Sequence, residues 1–400
     1  MSNTQKKNVP ELRFPGFEDE WEEKKLGDLT TKIGSGKTPK GGSENYTNKG
    51  IPFLRSQNVR NGKLNLNDLV YISKDIDDEM KNSRTYYGDV LLNITGASIG
   101  RTAINSIVET HANLNQHVCI IRLKKEYYYN FFGQYLLSRK GKRKIFLAQS
   151  GGSREGLNFK EIANLKIFTP TIFEEQQKIG EFISKLDRQI ELEEQKLELL
   201  QQQKKGYMQK IFSQELRFKD ENGNDYPEWE EKMIKDVYEI TRGLVLSKKL
   251  ISKKTNDVNK YPVYSSQTTN NGLMGYYSDY LYKDSITWTT DGANAGSVSY
   301  RSGKFYCTNV CGVLINEKGN SNLCMSEMLN SIAFKHVSKV GNPKLMNNVM
   351  AMVKLNFPCI EEQLKIARFI EAVEKNIINQ ERKIDLLKQV KNGLLQKMFI

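Results

Sequence analysis

The chain has 400 residues, of which 38% are hydrophobic and 10% aromatic. A chain of this length is too long to fold around one ordinary hydrophobic core, so two to three folded domains are expected. Its hydrophobic and aromatic fractions are sufficient for folded cores, so wholesale disorder is not expected. Lysine and arginine number 60 against 47 acidic residues, a formal charge of +13. That surplus favours a polyanionic partner, such as nucleic acid or an anionic membrane. An ordinary soluble protein that happens to be basic remains an alternative at this point.

No stretch of about 18 uninterrupted apolar residues occurs, and residues 1–7 are polar, so neither a membrane span nor a secretory signal is expected. The five cysteines are an odd number and indicate reduced thiols, as in a cytoplasmic protein. Cys307 and Cys311 have no histidine or cysteine near them at zinc spacing, so no metal site is expected.

In chain order, residues 1–171 predict a first domain of mixed α/β type. Short β-type runs at 89–94 and 117–123 lie between turns rich in glycine and asparagine. Apolar residues at helical spacing predict a helix over 127–146. A long helix is then expected over 172–214.

Residues 215–358 predict a second domain of the same kind, followed by a second long helix over 359–400. Strands are expected at 285–289 and 310–315, and a helix over 325–339. The predicted fold class is therefore mixed α/β. It has two pseudo-repeated domains, each with a β-sheet core, separated by two long helices.

The two long helices repeat each other in strict register. Glu174-Glu175-Gln176 returns as Glu361-Glu362-Gln363, 187 positions later, and the helix ends keep the same offset. The segment before each domain also recurs, since Glu11-Leu12-Arg13-Phe14 matches Glu215-Leu216-Arg217-Phe218. Inside the domains the offset drifts, to 196 between Gly96 and Gly292. This contrast predicts one task shared by both helices and a different task for each domain.

Apolar residues seven apart predict that the helices form an antiparallel coiled coil of about 60 Å. Each heptad pattern has polar interruptions, and pairing Glu193 with Lys391 and Lys204 with Gln380 satisfies both in one antiparallel register. Separate packing of each helix against its own domain is the alternative. The predicted interface comprises Ile179, Ile183, Leu186, Ile190, Glu193, Leu197, Leu200, Lys204, Ile366, Ile370, Val373, Ile377, Gln380, Ile384, Leu387 and Lys391.

Motifs for catalysis are mostly missing. Ser35-Gly36-Lys37-Thr38 lacks the first glycine of a phosphate-binding loop, and Pro39 opposes a helix starting there. The glycines from Gly96 to Gly100 lack the spacing of a dinucleotide fingerprint. The Asn-Pro-Pro-aromatic tetrapeptide of adenine amino-methyltransferases does not occur. We therefore expect a chain with no catalytic residues and no bound cofactor.

Polar and basic loop residues instead fit DNA, because Arg, Asn and Gln can contact base edges and any of them can bind phosphate. For any single residue a solvated loop position is the alternative. The candidates in the first domain are Lys37, Thr38, Arg55, Ser56, Gln57, Asn58, Arg84, Arg101 and Arg154. Those in the second are Lys248, Lys249, Ser265, Ser266, Gln267, Asn270, Asn294, Arg301, Asn342 and Lys344.

The ordered set of motifs resembles the specificity subunit of type I restriction–modification systems. In the first domain the resemblance rests on 21–28, 36–39, 50–53 and 88–91. In the second it rests on 261–266 and 271–276, and in both on the Glu-Glu-Gln helix entries. The resemblance covers nearly the whole chain.

This resemblance implies two target recognition domains that each read one half of a bipartite, asymmetric DNA site. The helices would act as a ruler and a docking surface. Two modification subunits would supply S-adenosylmethionine and adenine-N6 methylation, and restriction subunits would supply ATP- and Mg²⁺-dependent translocation and cleavage. The family's base-contacting residues are not fixed by these motifs.

Three other functions stay open at this stage. The chain could be a DNA-binding scaffold or decoy without methyltransferase partners, which co-purification would test. It could be an enzyme with unrecognised nuclease chemistry in its glycine loops. It could also be a cytoskeletal or membrane-surface coiled-coil protein, whose binding would not weaken with salt as phosphate binding does.

Overall fold

The computed structural model describes residues 8–149, 156–266 and 269–400. Contacts divide the chain into a first unit, Met1–Gln195 with Glu381–Ile400, and a second unit, Lys196–Gln380. Both units combine helices with β-sheet, so the predicted mixed α/β class is confirmed. None of the helices in the described ranges carries an apolar stretch that would cross a bilayer.

The first unit holds two four-stranded sheets, ordered β2-β9-β6-β7 and β4-β3-β8-β5, and a β1-β10 ribbon. Its strands are β1 (Glu22–Lys25), β2 (Thr30–Ser35), β3 (Ile51–Leu54), β4 (Val70–Ile72), β5 (Arg84–Thr85), β6 (Val90–Asn93), β7 (Thr102–Ile104), β8 (Ala112–Leu114), β9 (Val118–Leu123) and β10 (Lys166–Thr169). Its helices are α1 (Lys74–Glu79), α2 (Tyr129–Leu137), α3 (Arg139–Leu147), α4 (Phe159–Ala163) and the start of α5 (Phe173–Phe212).

The second unit holds one six-stranded sheet, ordered β12-β17-β15-β16-β13-β14, and a β11-β18 ribbon. Its strands are β11 (Glu230–Met233), β12 (Glu239–Arg242), β13 (Tyr261–Tyr264), β14 (Leu273–Tyr277), β15 (Tyr282–Thr289), β16 (Val298–Cys307), β17 (Cys311–Ile315) and β18 (Lys354–Phe357). Its helices are α6 (Ile234–Val237), α7 (Leu323–Ala333), α8 (Asn347–Ala351) and the start of α9 (Ile360–Lys397).

Two predicted helices differ in extent from the observed ones. The helix expected over 127–146 is two helices, because Ser138 is extended and caps α3 by accepting a hydrogen bond from the Gly141 N–H at 3.1 Å. The helix expected over 325–339 ends at Ala333, and a short 3₁₀ turn follows it. In both places local capping or turn geometry overrides an apolar spacing that continues through it.

The recurring Arg and Glu of the sequence repeat are partners in a buried ion pair. In the first unit, Arg13 donates two hydrogen bonds to Glu175, at 2.6 and 2.8 Å, and the Trp21 indole N–H donates to the same carboxylate at 3.3 Å. Glu175 is 1% exposed. The segment before the domain is therefore tied to the first turn of the long helix.

The second unit repeats this ion pair. Arg217 donates to Glu362 at 3.3 and 2.9 Å, and the Trp229 indole N–H donates to it at 2.8 Å. The glutamine that follows each glutamate is also used, since Gln176 donates to the Pro170 carbonyl at 3.0 Å and Gln363 to that of Pro358 at 2.8 Å. The Glu-Glu-Gln repeat thus fixes where each helix begins.

The long helices run antiparallel within each unit, as predicted. In the first unit Glu193 of α5 pairs with Lys383 of α9 at 2.5 Å, and the earlier Asp187 pairs with the later Lys391. In the second unit Lys204 pairs with Glu374 at 2.8 Å, while the later Tyr207 packs edge-on against the earlier Phe369. Each unit shows the opposed direction independently.

The predicted register is wrong. Lys391 pairs with Asp187 instead of Glu193, and Lys204 pairs with Glu374 instead of Gln380. Asp187 and Glu374 each directly follow an interface residue, Leu186 and Val373, and are 187 positions apart. A long lysine side chain reaches a carboxylate beside the apolar rows more readily than one within them, because the carboxylate there stays partly hydrated.

All sixteen predicted interface residues are buried or half-buried. Ile179 and Ile183 lie in one cluster with Trp21, Leu395 and Met398, so they pack against both α9 and the domain core. Ile366 and Ile370 are placed in the same way in the second unit. The start of each helix therefore serves its domain as well as the helix pair.

The ends of both helices are held alike. The Leu216 N–H donates to the Lys210 carbonyl at 3.0 Å, just after α5 ends. In the first unit the Leu12 N–H donates to the Lys397 carbonyl of α9, also at 3.0 Å. An ion pair accompanies each bond, Lys210 with Glu215 at 3.6 Å and Lys397 with Glu11 at 2.7 Å.

Candidate nucleic-acid interface

Three segments of the first unit meet around a tight turn between β8 and β9. The turn closes with a bond from the Val118 N–H to the Asn115 carbonyl at 3.3 Å. The loop after β2 crosses it, since Gly36 donates to Val118 at 3.2 Å and Lys37 to Leu114 at 2.9 Å, both backbone to backbone. The ends of β3 and β6 join through Asn115 N–H to Leu54 O at 3.1 Å and Ile94 N–H to His117 O at 3.0 Å.

The second unit builds the same set of backbone bonds around the turn between β16 and β17. These bonds are Cys311 N–H to Thr308 O at 3.0 Å, Gly243 N–H to Cys311 O at 2.9 Å, Leu244 N–H to Cys307 O at 3.1 Å, Thr308 N–H to Tyr264 O at 3.0 Å and Thr290 N–H to Val310 O at 2.9 Å. Five matching bonds define one loop cluster in each unit. We call these the first and second loop clusters.

Glycine is required where the loop crosses the turn. A Cβ on Gly36 would lie 1.9 Å from the Leu114 carbonyl oxygen, and one on Gly243 would lie 2.2 Å from that of Cys307. Because backbone atoms cannot move away as a side chain can, any larger residue would displace the loop. The Gly36 next to Lys37 therefore has a packing role here, unlike the glycine of a phosphate-binding loop.

Polar side chains link the loops of the first loop cluster. Thr38 donates to the side-chain oxygen of Gln116, whose amide nitrogen lies 3.1 Å from His117 Nε2. His117 Nδ1 lies 2.6 Å from Thr95 Oγ1. A neutral imidazole that is protonated at Nδ1 satisfies both contacts, because it donates to Thr95 and accepts from Gln116.

The second loop cluster uses other side chains. The Thr308 hydroxyl donates to Ser265 Oγ at 2.9 Å, and Asn294 donates to the Ser266 carbonyl at 2.9 Å. Lys344 pairs with Asp291 at 3.9 Å, where their two segments form a β-bridge. The backbone frame is shared between the units, while the groups on it differ.

Most predicted DNA-binding residues in the described ranges are exposed or half-buried. The exposed residues are Lys37, Gln57, Lys248, Lys249, Asn270, Asn342 and Lys344. Half-buried are Thr38, Arg55, Ser56, Arg84, Arg101, Ser265, Ser266, Asn294. Arg154 and Gln267 lie outside the described residues. DNA contact at the exposed and half-buried positions stays a prediction.

Asn58 and Arg301 are buried, so the prediction of DNA contact is wrong for both. Asn58 is 0% exposed, and its side chain accepts from the Arg55 N–H and donates to the Asn65 carbonyl, both at 2.9 Å. Arg301 lies over the Tyr264 ring at 3.9 Å and donates to Thr287 at 3.1 Å. Burial lowers the pKa of Arg301 below its ordinary value.

Arg84 and Arg55 also have internal partners. Arg84 pairs with Asp77, which further accepts hydrogen bonds from Asn113 and His111. Burial acts to raise the pKa of Asp77, but these hydrogen bonds outweigh it and hold the pKa below its usual value. Arg55 donates to the Asp68 carbonyl at 2.9 Å and lies 5.5 Å from the Tyr46 ring centroid. Both arginines therefore stabilise their own loops.

The sequence reasoning missed Thr95, Gln116, His117 and Asn309, which the fold brings into the loop clusters. The turns that carry Gln116 and Asn309 share the cluster's backbone bonds but have no identical residue at equivalent positions. Only the offset of 193 between Leu114 and Cys307 could have aligned them, and that offset differs from those of the flanking motifs. No short signal in the sequence marks these positions.

Within residues 8–149, 156–266 and 269–400, no group of three or more His, Cys, Asp or Glu side chains is arranged to hold a metal ion. All five cysteines are free thiols. Burial raises the pKa of Cys119 to about 12 and that of Cys311 to about 11. These thiols are therefore poor nucleophiles and poor metal ligands at neutral pH.

The family model described as "Type I restriction modification DNA specificity domain" matches residues 18–202 and 226–389. These two matches include well over half of the chain. The chain belongs to this family. The two matched segments are two copies of this DNA specificity domain.

Curated relatives from Mycoplasma pneumoniae agree. A putative type I specificity subunit is 40% identical over 162 residues, which are 40% of this chain and 43% of that protein. The specificity subunit of type I restriction enzyme MpnII is 42% identical over 147 residues, 36% of this chain and 43% of that protein. The chain thus spans less than half the length of these two relatives.

The fold also matches a solved structure over nearly its whole length. The crystal structure of the S subunit of a type I restriction–modification system from M. genitalium has a TM-score of 0.65. The match covers 98% of this chain and 99% of that chain at 15% sequence identity. At this identity the similarity establishes the fold.

Proposed function

We propose that this chain reads a bipartite, asymmetric DNA target, one half with each loop cluster. The observation that carries the proposal is the pair of equivalent backbone frames, each held by five matching hydrogen bonds and bearing different side chains. Equivalent frames approach DNA in the same way, while unlike side chains select different bases. The target is therefore two unlike half-sites separated by bases that the chain does not read.

The formal charge of +13 supports a DNA partner, since phosphate contacts supply most of the affinity of such complexes. Exposed lysines lie on or beside both clusters, at Lys37 in the first unit and Lys344 in the second. We assign these lysines to phosphate contact and the polar loop side chains to base contact. Binding then weakens steeply as salt is added.

In this proposal the chemistry belongs to partner subunits. Two modification subunits bring S-adenosylmethionine and methylate adenine N6, and restriction subunits bring ATP and Mg²⁺ for cleavage. One solved neighbour, of TM-score 0.53, comes from a study of complex assembly in a type I system, which agrees with such partners. This chain contributes recognition only, and we place the complex in the cytoplasm.

Methylome sequencing tests the proposal. Cells that express the chain with its cognate modification subunit should show N6-methyladenine at one interrupted motif. Replacing residues 229–357 by the equivalent domain of another such subunit should change one half of that motif and keep the other. An uninterrupted motif, or a change in both halves, would contradict reading of one half by each cluster.

A further inference from the structure

A side-chain amide occupies the same place in both loop clusters. The turn from Asn115 to Val118 and the turn from Thr308 to Cys311 are closed by equivalent hydrogen bonds, at 3.3 and 3.0 Å. The first central residue of each turn is Gln116 and Asn309, and both are exposed. Since three other loops surround each turn, these amides lie at the centre of the two clusters.

Gln116 and Asn309 both carry a carboxamide, whereas the side chains around them differ between the units. Thr38, His117 and Thr95 around Gln116 have no identical counterparts around Asn309, where Thr308 bonds to Ser265. The neighbouring central positions also differ, His117 in one turn and Val310 in the other. A carboxamide at the same position of both turns can make the same kind of contact in both loop clusters, although its neighbours differ.

The first amide is held in a defined orientation. Its oxygen accepts from Thr38, and its nitrogen lies 3.1 Å from His117 Nε2. Beyond these two contacts the Gln116 carboxamide keeps one acceptor lone pair and one donor N–H. A carboxamide with one acceptor and one donor left matches the N6 donor and N7 acceptor of adenine in the major groove.

Resting on the proposed function, we propose that Gln116 and Asn309 each read an adenine, one in each half of the target. The shared backbone frame places these two side chains at equivalent positions in the two turns. Neither amide was among the residues predicted from sequence. They determine specificity at one base pair each, without any part in catalysis.

The experiment compares methylomes of cells that express the modification subunit with wild-type chain, Gln116→Ala or Asn309→Ala. Each substitution should relax one adenine position, by about 5- to 150-fold in preference, because a bidentate base contact has about that discrimination. The relaxed positions should lie in opposite halves of the motif. Gln116→Arg should replace adenine by guanine at the same position, since arginine pairs with guanine O6 and N7.

Asn222→Ala is the matched control, because Asn222 is an exposed amide in the turn closed by Asp220 and Asn224, outside both clusters. It should leave the motif unchanged. Relaxation of the same half by both alanine variants, an unchanged motif in both, or a uniform loss of methylation at all positions would overturn the inference. Those outcomes leave the wild-type interrupted motif intact. A wild-type chain that directs no interrupted motif would overturn the proposed function, and this inference with it.

Discussion

The two units place side chains of different charge beneath the long helices. In the first unit Gln134 of α2 donates to Asp187 at 2.8 Å, and Asp187 also pairs with Lys391. In the second unit the corresponding layer holds Glu327 of α7 with Glu374 and Lys204. A neutral amide in one unit is thus a carboxyl in the other. The helices tolerate this difference because each lysine pairs with a helix carboxylate in both units.

The carboxyl of Glu327 makes the free energy of unfolding depend on pH. Burial raises the pKa of Glu327, Lys204 opposes the rise, and Glu374 adds to it. The folded state therefore binds more protons than the unfolded state between the ordinary glutamate pKa and the raised value. The free energy of unfolding falls as pH rises through that window. The first unit, with Gln134 in this place, has no such loss.

The Arg–Glu–Trp contact is common to both units, and breaking it should have the largest effect. Glu175→Ala and Glu362→Ala each leave a mostly buried arginine without its carboxylate, which costs about 3–5 kcal/mol in the free energy of unfolding. Urea unfolding measures this cost. The adjacent Glu174→Ala and Glu361→Ala are the controls, with expected changes within about 0.5 kcal/mol. Equal losses in variants and controls would show that the ion pair does not stabilise the helix start.

Exchanging the residues that distinguish the units should have an intermediate effect. Gln134→Glu places a second carboxylate beside Asp187 and removes a hydrogen-bond donor, so it should destabilise by about 1–3 kcal/mol. Glu327→Gln should stabilise by on the order of 0.5 kcal/mol at neutral pH.

The pH dependence checks this exchange. The gain from Glu327→Gln should shrink as pH is lowered toward the ordinary glutamate pKa, because the folded wild-type carboxyl takes up its proton before the unfolded one does and the wild type is thereby stabilised. Unfolding of each variant at several pH values measures it. A gain that does not vary with pH would contradict the assignment of the effect to Glu327 ionisation.

Disrupting the helix register should also have a small effect. A double-mutant cycle of Asp187→Ala and Lys391→Ala should give a coupling energy of about 1 kcal/mol, since both side chains are partly buried. The cycle of Glu193→Ala and Lys391→Ala serves as its control and should be additive. Coupling in the control cycle alone would restore the register that the sequence predicts.

The long helices were predictable because their apolar rows and the 187-residue offset of the Glu-Glu-Gln entries run through both copies without a slip. Their register was not, because Asp187 and Glu374 lie beside the apolar rows and do not interrupt them. The loop residues were harder still. Asn58 and Arg301 have the composition of base-reading residues, yet tertiary contacts bury them. Gln116 and Asn309 became visible only when the fold aligned two turns of unlike sequence.

The matching ends of α5 and α9 have a consequence for connectivity. After α5 the polypeptide itself carries Leu216 onto the Lys210 carbonyl, whereas Leu12 reaches the Lys397 carbonyl from a distant part of the chain. Both junctions have the same hydrogen bond and ion pair. At the first junction the contacting segments are also consecutive in the polypeptide, whereas at the second they are far apart in sequence. A circular permutant that joins the polypeptide at the second junction and opens it at the first would keep both contacts.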